Sequence, residues 1–288
     1  MMPLSPLESL FDAARGADLP LPPDLSALYG PLRFPSYEGR PYVVGNFVAT
    51  LDGVASLSDP AQPGGGAISG SNPHDRMVMG LLRAVADAVI VGAGTLRSVP
   101  RHLWTAEYIF PTLADSYRAL QAALGRRGPP LNVIVTARGE VDPELPVFQS
   151  ETVKTVVVTT PEGARAARER GLPEAVGIEE VESTEAIKAR EILSAVARTC
   201  TGNIVLVEGG PRLMGDFFAG NCVDELFLTV APQVAGRDGT ADRPGIVAGK
   251  RFAPERPLWG TLAGAKRGGS HLFLRYSFST EERSSAGL

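Results

Sequence analysis

The run Ile204-Val205-Leu206-Val207-Glu208-Gly209-Gly210-Pro211-Arg212-Leu213-Met214-Gly215-Asp216-Phe217-Phe218 constrains the fold more than any other stretch of the chain. Its first four residues are apolar and rich in Val and Ile, which predicts a buried strand. Gly209 and Gly210 follow at once, and Pro211 takes the first position of a helix, where its missing N–H costs nothing. Leu213, Met214, Phe217 and Phe218 recur at helical spacing, so that helix packs one face on a sheet. A strand that turns through two glycines into a helix lets a ligand approach the backbone closely. It also presents free N–H groups and a partial positive charge to an anion. Glu208, at the strand's carboxyl end, sets a carboxylate beside that anion site. A carboxylate between an apolar strand and two glycines is costly unless it is used or paired. The stretch predicts the ligand-binding edge of an α/β enzyme.

The rest of the chain agrees. Residues 42–50 form a β-rich run that ends at Leu51-Asp52-Gly53, and residues 64–70 form a glycine-rich loop able to fold over a ligand. A helix is expected from residue 71 or 72 through 82, then a buried strand over 87–91 that ends in Gly92-Ala93-Gly94-Thr95. Helix is expected at 112–125, strand at 131–136, strand at 153–160, and helix at 161–170 and 184–199. After the opening strand and its helix, residues 224–230 and 271–278 read as strands without an intervening helix. A βαβ series closed by such strands predicts a mixed, mostly parallel α/β sheet flanked by helices, with antiparallel C-terminal strands.

Residues 1–41 are Pro-rich and stand apart. Ser5-Pro6-Leu7-Glu8 reads as a capping box, and Leu7, Leu10, Phe11 and Ala14 line one face of a short helix up to Gly16. The expected organisation is an N-terminal arm over 1–41, a catalytic domain over 42–280, and a polar tail over 281–288.

Charge narrows the partners. A net charge of −4 leaves no basic footprint for nucleic acid. No apolar run approaches the ~20 residues that span a bilayer, and the N-terminus does not read as a signal peptide, so a soluble cytoplasmic protein is expected. Cys200 and Cys222 lack metal or redox spacing. His74, His102 and His271 are scattered, with no pattern for a metal site or a triad, and no nucleophile elbow surrounds Ser69.

Two glycine turns carry the chemistry. Gly92-Ala93-Gly94-Thr95 lacks the third glycine of the dinucleotide fingerprint, because Arg97 stands there. It still offers backbone N–H groups and the Thr95 hydroxyl. With Gly209-Gly210 on another buried strand, the pair suits a dinucleotide laid across strand ends. Asp52 is either a turn residue or an active-site carboxylate at a strand end. Arg76 and Arg83 share a helix face and could reach a substrate phosphate.

Three stretches, residues 46–53 (NFVATLDG), 81–95 (LLRAVADAVIVGAGT) and 205–230 (VLVEGGPRLMGDFFAGNCVDELFLTV), resemble the reductase domain of riboflavin biosynthesis, which has a dihydrofolate-reductase-like fold. The resemblance runs from about residue 42 to 278. The His-x-Glu and Pro-Cys-x-x-Cys signature of the zinc deaminase often fused to that domain is absent. The resemblance implies a stand-alone, homodimeric, NADPH-dependent reductase that turns the ribosyl group of a 5-phosphoribosylamino-pyrimidine into a ribityl chain. It implies cofactor contacts at Ala49, Gly92, Gly94, Thr95, Leu96, Arg97, Gly209, Gly210, Pro211 and Leu213. Thr136 and Arg138 are then placed to meet the adenosine 2′-phosphate. Ser69 and Arg83 match substrate positions, Arg76 joins them by its helix position, and Asp52 and Glu208 are the candidate catalytic carboxylates. The chain departs from the family at Val54, where Lys or Arg is common. It departs again at residues 96–101, where only Arg97 or Arg101 could stand in for a substrate-phosphate arginine. A dihydrofolate-type reductase or a non-catalytic nucleotide-binding protein remain the alternative readings.

Overall fold

A computed structural model describes residues 4–59, 61–62 and 64–278. The expected tail at 281–288 lies outside the described residues. Twelve strands run in chain order: β1 (Glu8–Asp12), β2 (Ala17–Asp18), β3 (Arg33–Phe34), β4 (Tyr42–Ala49), β5 (Ala88–Gly92), β6 (Leu131–Val135), β7 (Thr155–Thr159), β8 (Gly177–Glu180), β9 (Ile204–Val207), β10 (Glu225–Val230), β11 (Thr261–Gly268) and β12 (His271–Ser277). The helices are α1 (Pro23–Tyr29), α2 (Gly66–Ser69), α3 (Pro73–Val85), α4 (Ala93–Ser98), α5 (Ala106–Ile109), α6 (Ala114–Ala123), α7 (Pro146–Gln149), α8 (Pro161–Glu169), α9 (Ala189–Thr199) and α10 (Pro211–Ala219).

Ten strands build one sheet in the order β1-β11-β12-β10-β4-β9-β5-β6-β7-β8. From β10 to β8 every neighbour is parallel, while β12, β11 and β1 add on antiparallel. This is the mixed, mostly parallel sheet that the sequence pattern predicts.

The apolar runs are continuous because both faces of the parallel strands are covered. Val44, Leu206, Val89 and Val91 point to one face, under α3 and α6. Their strand neighbours Val43, Val205, Val207 and Ile90 point to the other, under α9 and α10. β9 lies between β4 and β5, so the carboxyl ends of these three strands converge and the loops leaving them meet in space.

The N-terminal arm differs from expectation. Residues 8–12 form a strand on β11, not a helix, and the helix of the arm is α1. A lone short helix is marginal in water, whereas β11 offers an open row of backbone partners. The expected helical stripe is also not buried as a stripe, since Leu7 is in the core while Leu10 and Phe11 stay exposed. The arm joins the core through Leu25, Tyr29 and Leu32, which share a cluster with Met77, Leu81 and Phe227. Beneath it Arg275 donates to Glu225 at 2.6 Å and to the Arg33 carbonyl at 2.9 Å. Burial in this region pushes the Tyr29 phenol up to about 12.

The helix-free C-terminal strands do not form the edge of the sheet. β12 and β11 are internal to the sheet, and β1 forms that edge. The glycine-rich loop is more ordered than the sequence suggests: α2 is a single turn closed by Gly70 in the left-handed conformation, with φ of 62°.

Candidate active site

A cleft of about 780 Å³ opens over the carboxyl ends of β4, β9 and β5, within the range of ~300–1,000 Å³ that ligand pockets occupy. It is walled by the two glycine turns, by α2 and α3, and by residues 102–109.

At its centre is an ion pair. Glu208 leaves β9 directly into the cleft, and Arg83 reaches it from the last turn of α3. Arg83 Nε donates to Glu208 Oε2 at 2.9 Å and Nη2 approaches the same oxygen at 2.8 Å. The Asn46 amide donates to Oε1 at 2.9 Å. The two charged side chains are only 2% and 6% exposed, and Arg83 Nη1 donates to the Thr105 carbonyl at 3.2 Å. Arg83 is therefore held as the partner of Glu208 and is not free for a substrate phosphate. Glu208 Oε2 is occupied by two donors, while Oε1 keeps one acceptor site. The carboxylate is in the site because it is paired.

The two glycine turns abut beside this pair. α10 begins at Gly210 with no side-chain cap, so its first N–H groups are open. A Cβ added at Gly210 would lie 3.4 Å from Thr95 Oγ1, which measures how closely the turns approach. At Gly92 and Gly94 an added Cβ meets nothing within 4 Å, so these glycines leave space in the cleft that any other residue would fill. Arg97 and Arg212, both exposed, flank the same end. Uncapped donors, vacant space and two cations fit the pyrophosphate of a dinucleotide.

Of the expected cofactor positions, Gly92, Gly94, Thr95, Arg97, Gly209, Gly210, Pro211 and Leu213 line the cleft. Ala49 and Leu96 do not: Ala49 is buried in the β4–β10 ladder and Leu96 in the core. Thr136 and Arg138 follow β6, the neighbour of β5, and stand outside the cleft with Thr136 buried and Arg138 exposed. Ser69 and Arg76 line it, with Arg76 Nε fixed on the Ile109 carbonyl at 3.0 Å.

Asp52, expected as a catalytic carboxylate, is not among the residues that line the cleft. Its carboxylate accepts from Thr50 Oγ1 at 2.6 Å and from the N–H groups of Ala235 and Gly236 at 3.0 and 2.8 Å. Those bonds, the Thr50 hydroxyl foremost, hold its carboxyl well below the usual range. Asp52 is a loop organiser that fastens residues 235–236 to the end of β4. Its Asp-Gly turn chemistry, not its charge, set its position.

Two features escaped sequence reading. Asp75, buried on α3, lines the cleft floor, but in the sequence it follows Asn72-Pro73-His74 and reads as a first-turn acid. The second is an aromatic wall in which the His102 ring lies 5.1 Å from Trp104 and 4.7 Å from Tyr108. Burial, with Arg83 and Arg76 nearby, brings the His102 imidazole down to about 3, so it is neutral. Buried Asn132 fixes this wall by accepting from the Trp104 N–H at 3.2 Å. The polar Asn46 inside an apolar strand is a further signal of the Glu208 site, since its amide is a partner of that carboxylate. Among the described residues no group of three or more His, Cys, Asp or Glu could hold a metal ion, and no helix is long and apolar enough to cross a membrane.

Comparison with known proteins identifies the family. The family model described as the RibD C-terminal domain matches residues 41–253. A 2,5-diamino-6-ribosylamino-4(3H)-pyrimidinone 5′-phosphate reductase of Archaeoglobus fulgidus is 28% identical over 217 residues, covering 74% of this chain and 89% of that protein. A riboflavin biosynthesis protein RibD of Aquifex aeolicus is 26% identical over 202 residues, 68% of this chain and 48% of that protein. The chain thus spans most of the archaeal reductase and about half of the longer RibD protein. In fold, a pyrimidine reductase-like protein of Corynebacterium diphtheriae superposes with a TM-score of 0.61 at 19% identity, over 83% of this chain and 92% of that one. The chain belongs to the RibD C-terminal domain family, whose reductase chemistry draws on a reduced nicotinamide cofactor.

Proposed function

We propose that the chain is an NADPH-dependent reductase of the cytoplasm that converts the ribosylamino group of a 5-phosphoribosylamino-pyrimidine into a ribitylamino chain. The observation that carries this reading is the meeting of two open glycine turns with the Arg83–Glu208 pair in one cleft. When bound, NADPH supplies the hydride for C1′ of the ring-opened, imine form of the substrate. Gly92, Gly94, Thr95, Gly209, Gly210, Pro211 and Leu213 hold its pyrophosphate end, with Arg97 as counter-charge. Thr136 and Arg138, at the next strand end, are the proposed contacts of the adenosine 2′-phosphate and so the basis for NADPH over NADH.

Substrate binds on the α2–α3 side. Ser69 offers a hydroxyl, and Arg76, preset by Ile109, meets the substrate phosphate in place of the family arginine that residues 96–101 lack. Glu208 Oε1 accepts from the substrate next to the reacting carbon, and Arg83 fixes that carboxylate as a positioning residue. The proposal extends to a homodimer in which the helix-free end of the sheet packs on a second copy. Leu10 and Phe11 of β1 are half exposed there. A monomeric mass by light scattering at micromolar concentration removes the dimer.

Steady-state NADPH oxidation tests the activity, with the phosphoribosylamino-pyrimidine and dihydrofolate as separate substrates. Turnover of the first and not the second is expected. NADPH binding without turnover of the pyrimidine removes the substrate assignment, and turnover of dihydrofolate alone establishes the folate-type alternative.

A further inference from the structure

We infer that Asp75 is the residue that delivers the proton accompanying hydride transfer in this cleft. The inference rests on the proposed imine reduction, since an imine nitrogen must gain a proton when its carbon gains a hydride.

The position is built. The Asn72 side chain accepts from the N–H groups of His74 and Asp75 at 2.8 and 3.1 Å and so fixes the first turn of α3. Asp75 is 6% exposed and faces the cleft floor. The hydroxyls of Ser69, from α2, and Thr229, from β10, stand beside its carboxyl and favour its charged form, and Ser69 Oγ also donates to the Gly66 carbonyl at 3.4 Å. The other titratable groups near it are His271 on β12 and Glu208 after β9. His271 is hydrogen-bonded at both ring nitrogens. The Asn72 carbonyl oxygen already accepts two N–H groups, so its amide donates to His271 Nδ1 at 3.0 Å. His271 Nε2–H therefore donates to the Ser69 carbonyl at 3.0 Å. Among the described residues Asp75 forms no ion pair. Burial, the largest influence, pushes its carboxyl up, helped by the Glu208 charge and against the smaller pull of the two hydroxyls and His271.

The alternatives in the cleft do not serve. Glu208 is engaged by Arg83 in a buried ion pair. Burial keeps His102 out of the imidazolium form at neutral pH, so it lacks an acidic proton. Asp242 is exposed, and Asp52 lies outside.

The step balances. The Asp75 O–H bond breaks and an N–H bond forms at the imine nitrogen, while the hydride of a reduced nicotinamide forms the C1′–H bond and the C=N π bond is lost. The nicotinamide is oxidised and the imine reduced to an amine. The Asp75 carboxylate that remains is stabilised by the hydroxyls of Ser69 and Thr229 and regains its proton from solvent.

The experiment compares wild type with Asp75→Asn and Ser69→Ala. Infrared spectroscopy of the wild type at neutral pH is expected to show a neutral-carboxyl C=O band that Asp75→Asn lacks. NADPH binding, read by fluorescence, is expected to be kept in both variants, which verifies folding. General acids contribute on the order of 10²–10⁴-fold, so kcat of Asp75→Asn is expected to fall at least about 100-fold. Wild-type kcat/KM is expected to decline as pH rises through the Asp75 pKa, because the acid form is the active one. That limb disappears in Asp75→Asn and moves to higher pH in Ser69→Ala, which removes a hydrogen bond to the charged form. A merely structural Asp75 would leave the limb in place. The inference is overturned if the band is absent from the wild type, or if Asp75→Asn keeps both its rate and the pH limb. If wild type binds NADPH but does not reduce the pyrimidine, the proposed function fails, and the infrared comparison alone decides for or against a neutral Asp75.

Discussion

Replacing Arg83 by Met keeps most of the side-chain volume but removes the two nitrogens that bind Glu208 Oε2. At 2.8 Å and an effective dielectric of about 20, the attraction between the two charges is ~6 kcal/mol. Desolvating each buried ion costs several kcal/mol, so the intact pair contributes little net stability. Removing one partner is different. The Glu208 carboxylate stays in a 6% exposed site with only the Asn46 amide as donor, and such losses run to about 3–5 kcal/mol. For a chain of this size that corresponds to a fall in Tm of roughly 10 °C. Guanidinium unfolding followed by circular dichroism measures the loss, and the Arg83→Met/Glu208→Gln double variant completes the cycle. The double variant is expected to recover at least about 2 kcal/mol relative to the sum of the single changes, because no charge is then left buried alone. If Arg83→Met costs less than about 1 kcal/mol, or the two changes add, the pair is not the buried unit described here and Glu208 is free for another role.

Other outcomes follow from the same geometry. Asp52→Asn is expected to leave kcat near wild type while making the loop at residues 235–237 more open to proteolysis, since Asp52 fastens that loop from outside the cleft. Its lowered pKa means that its contribution is present above the unfolded carboxylate value of about 3.9 and is lost as pH falls below it. A pH series of loop cleavage in the wild type checks the sign. Gly94→Val puts a side chain into space that is otherwise open, so NADPH affinity measured by fluorescence is expected to fall at least about tenfold, or ~1.4 kcal/mol, with Tm unchanged. Leu25→Ala, at a fully buried position of α1, is expected to cost about 2–5 kcal/mol in chemical unfolding, which a loosely attached arm would not.

What was legible in the sequence was set by strong local signals. The parallel strands were visible because burial on both faces makes them continuous Val- and Ile-rich runs, and the glycine turns because glycine punctuates strand-to-helix turns. Weak signals failed where tertiary pairing decides. β8 has no buried residue in Gly177–Glu180, and β11 mixes glycines with Lys266 and Arg267, so neither shows apolar alternation. β1 is a strand because β11 supplies its partners, which no local propensity encodes. The same limit applies to the site. Glu208 was found from its own neighbours, but its engagement by Arg83, 125 residues earlier in the chain, is a long-range fact. Asp75 was hidden because an acid in the first turn of a helix has an ordinary explanation.

Isotope transfer tests the central claim most directly. The chain is incubated with the phosphoribosylamino-pyrimidine and with NADPH deuterated in turn on each face of the nicotinamide C4, and the product is analysed by mass spectrometry. One labelled face, and not the other, is expected to place a single deuterium at C1′ of a ribitylamino product. Absence of label from both, with NADPH bound, would contradict hydride transfer in this cleft.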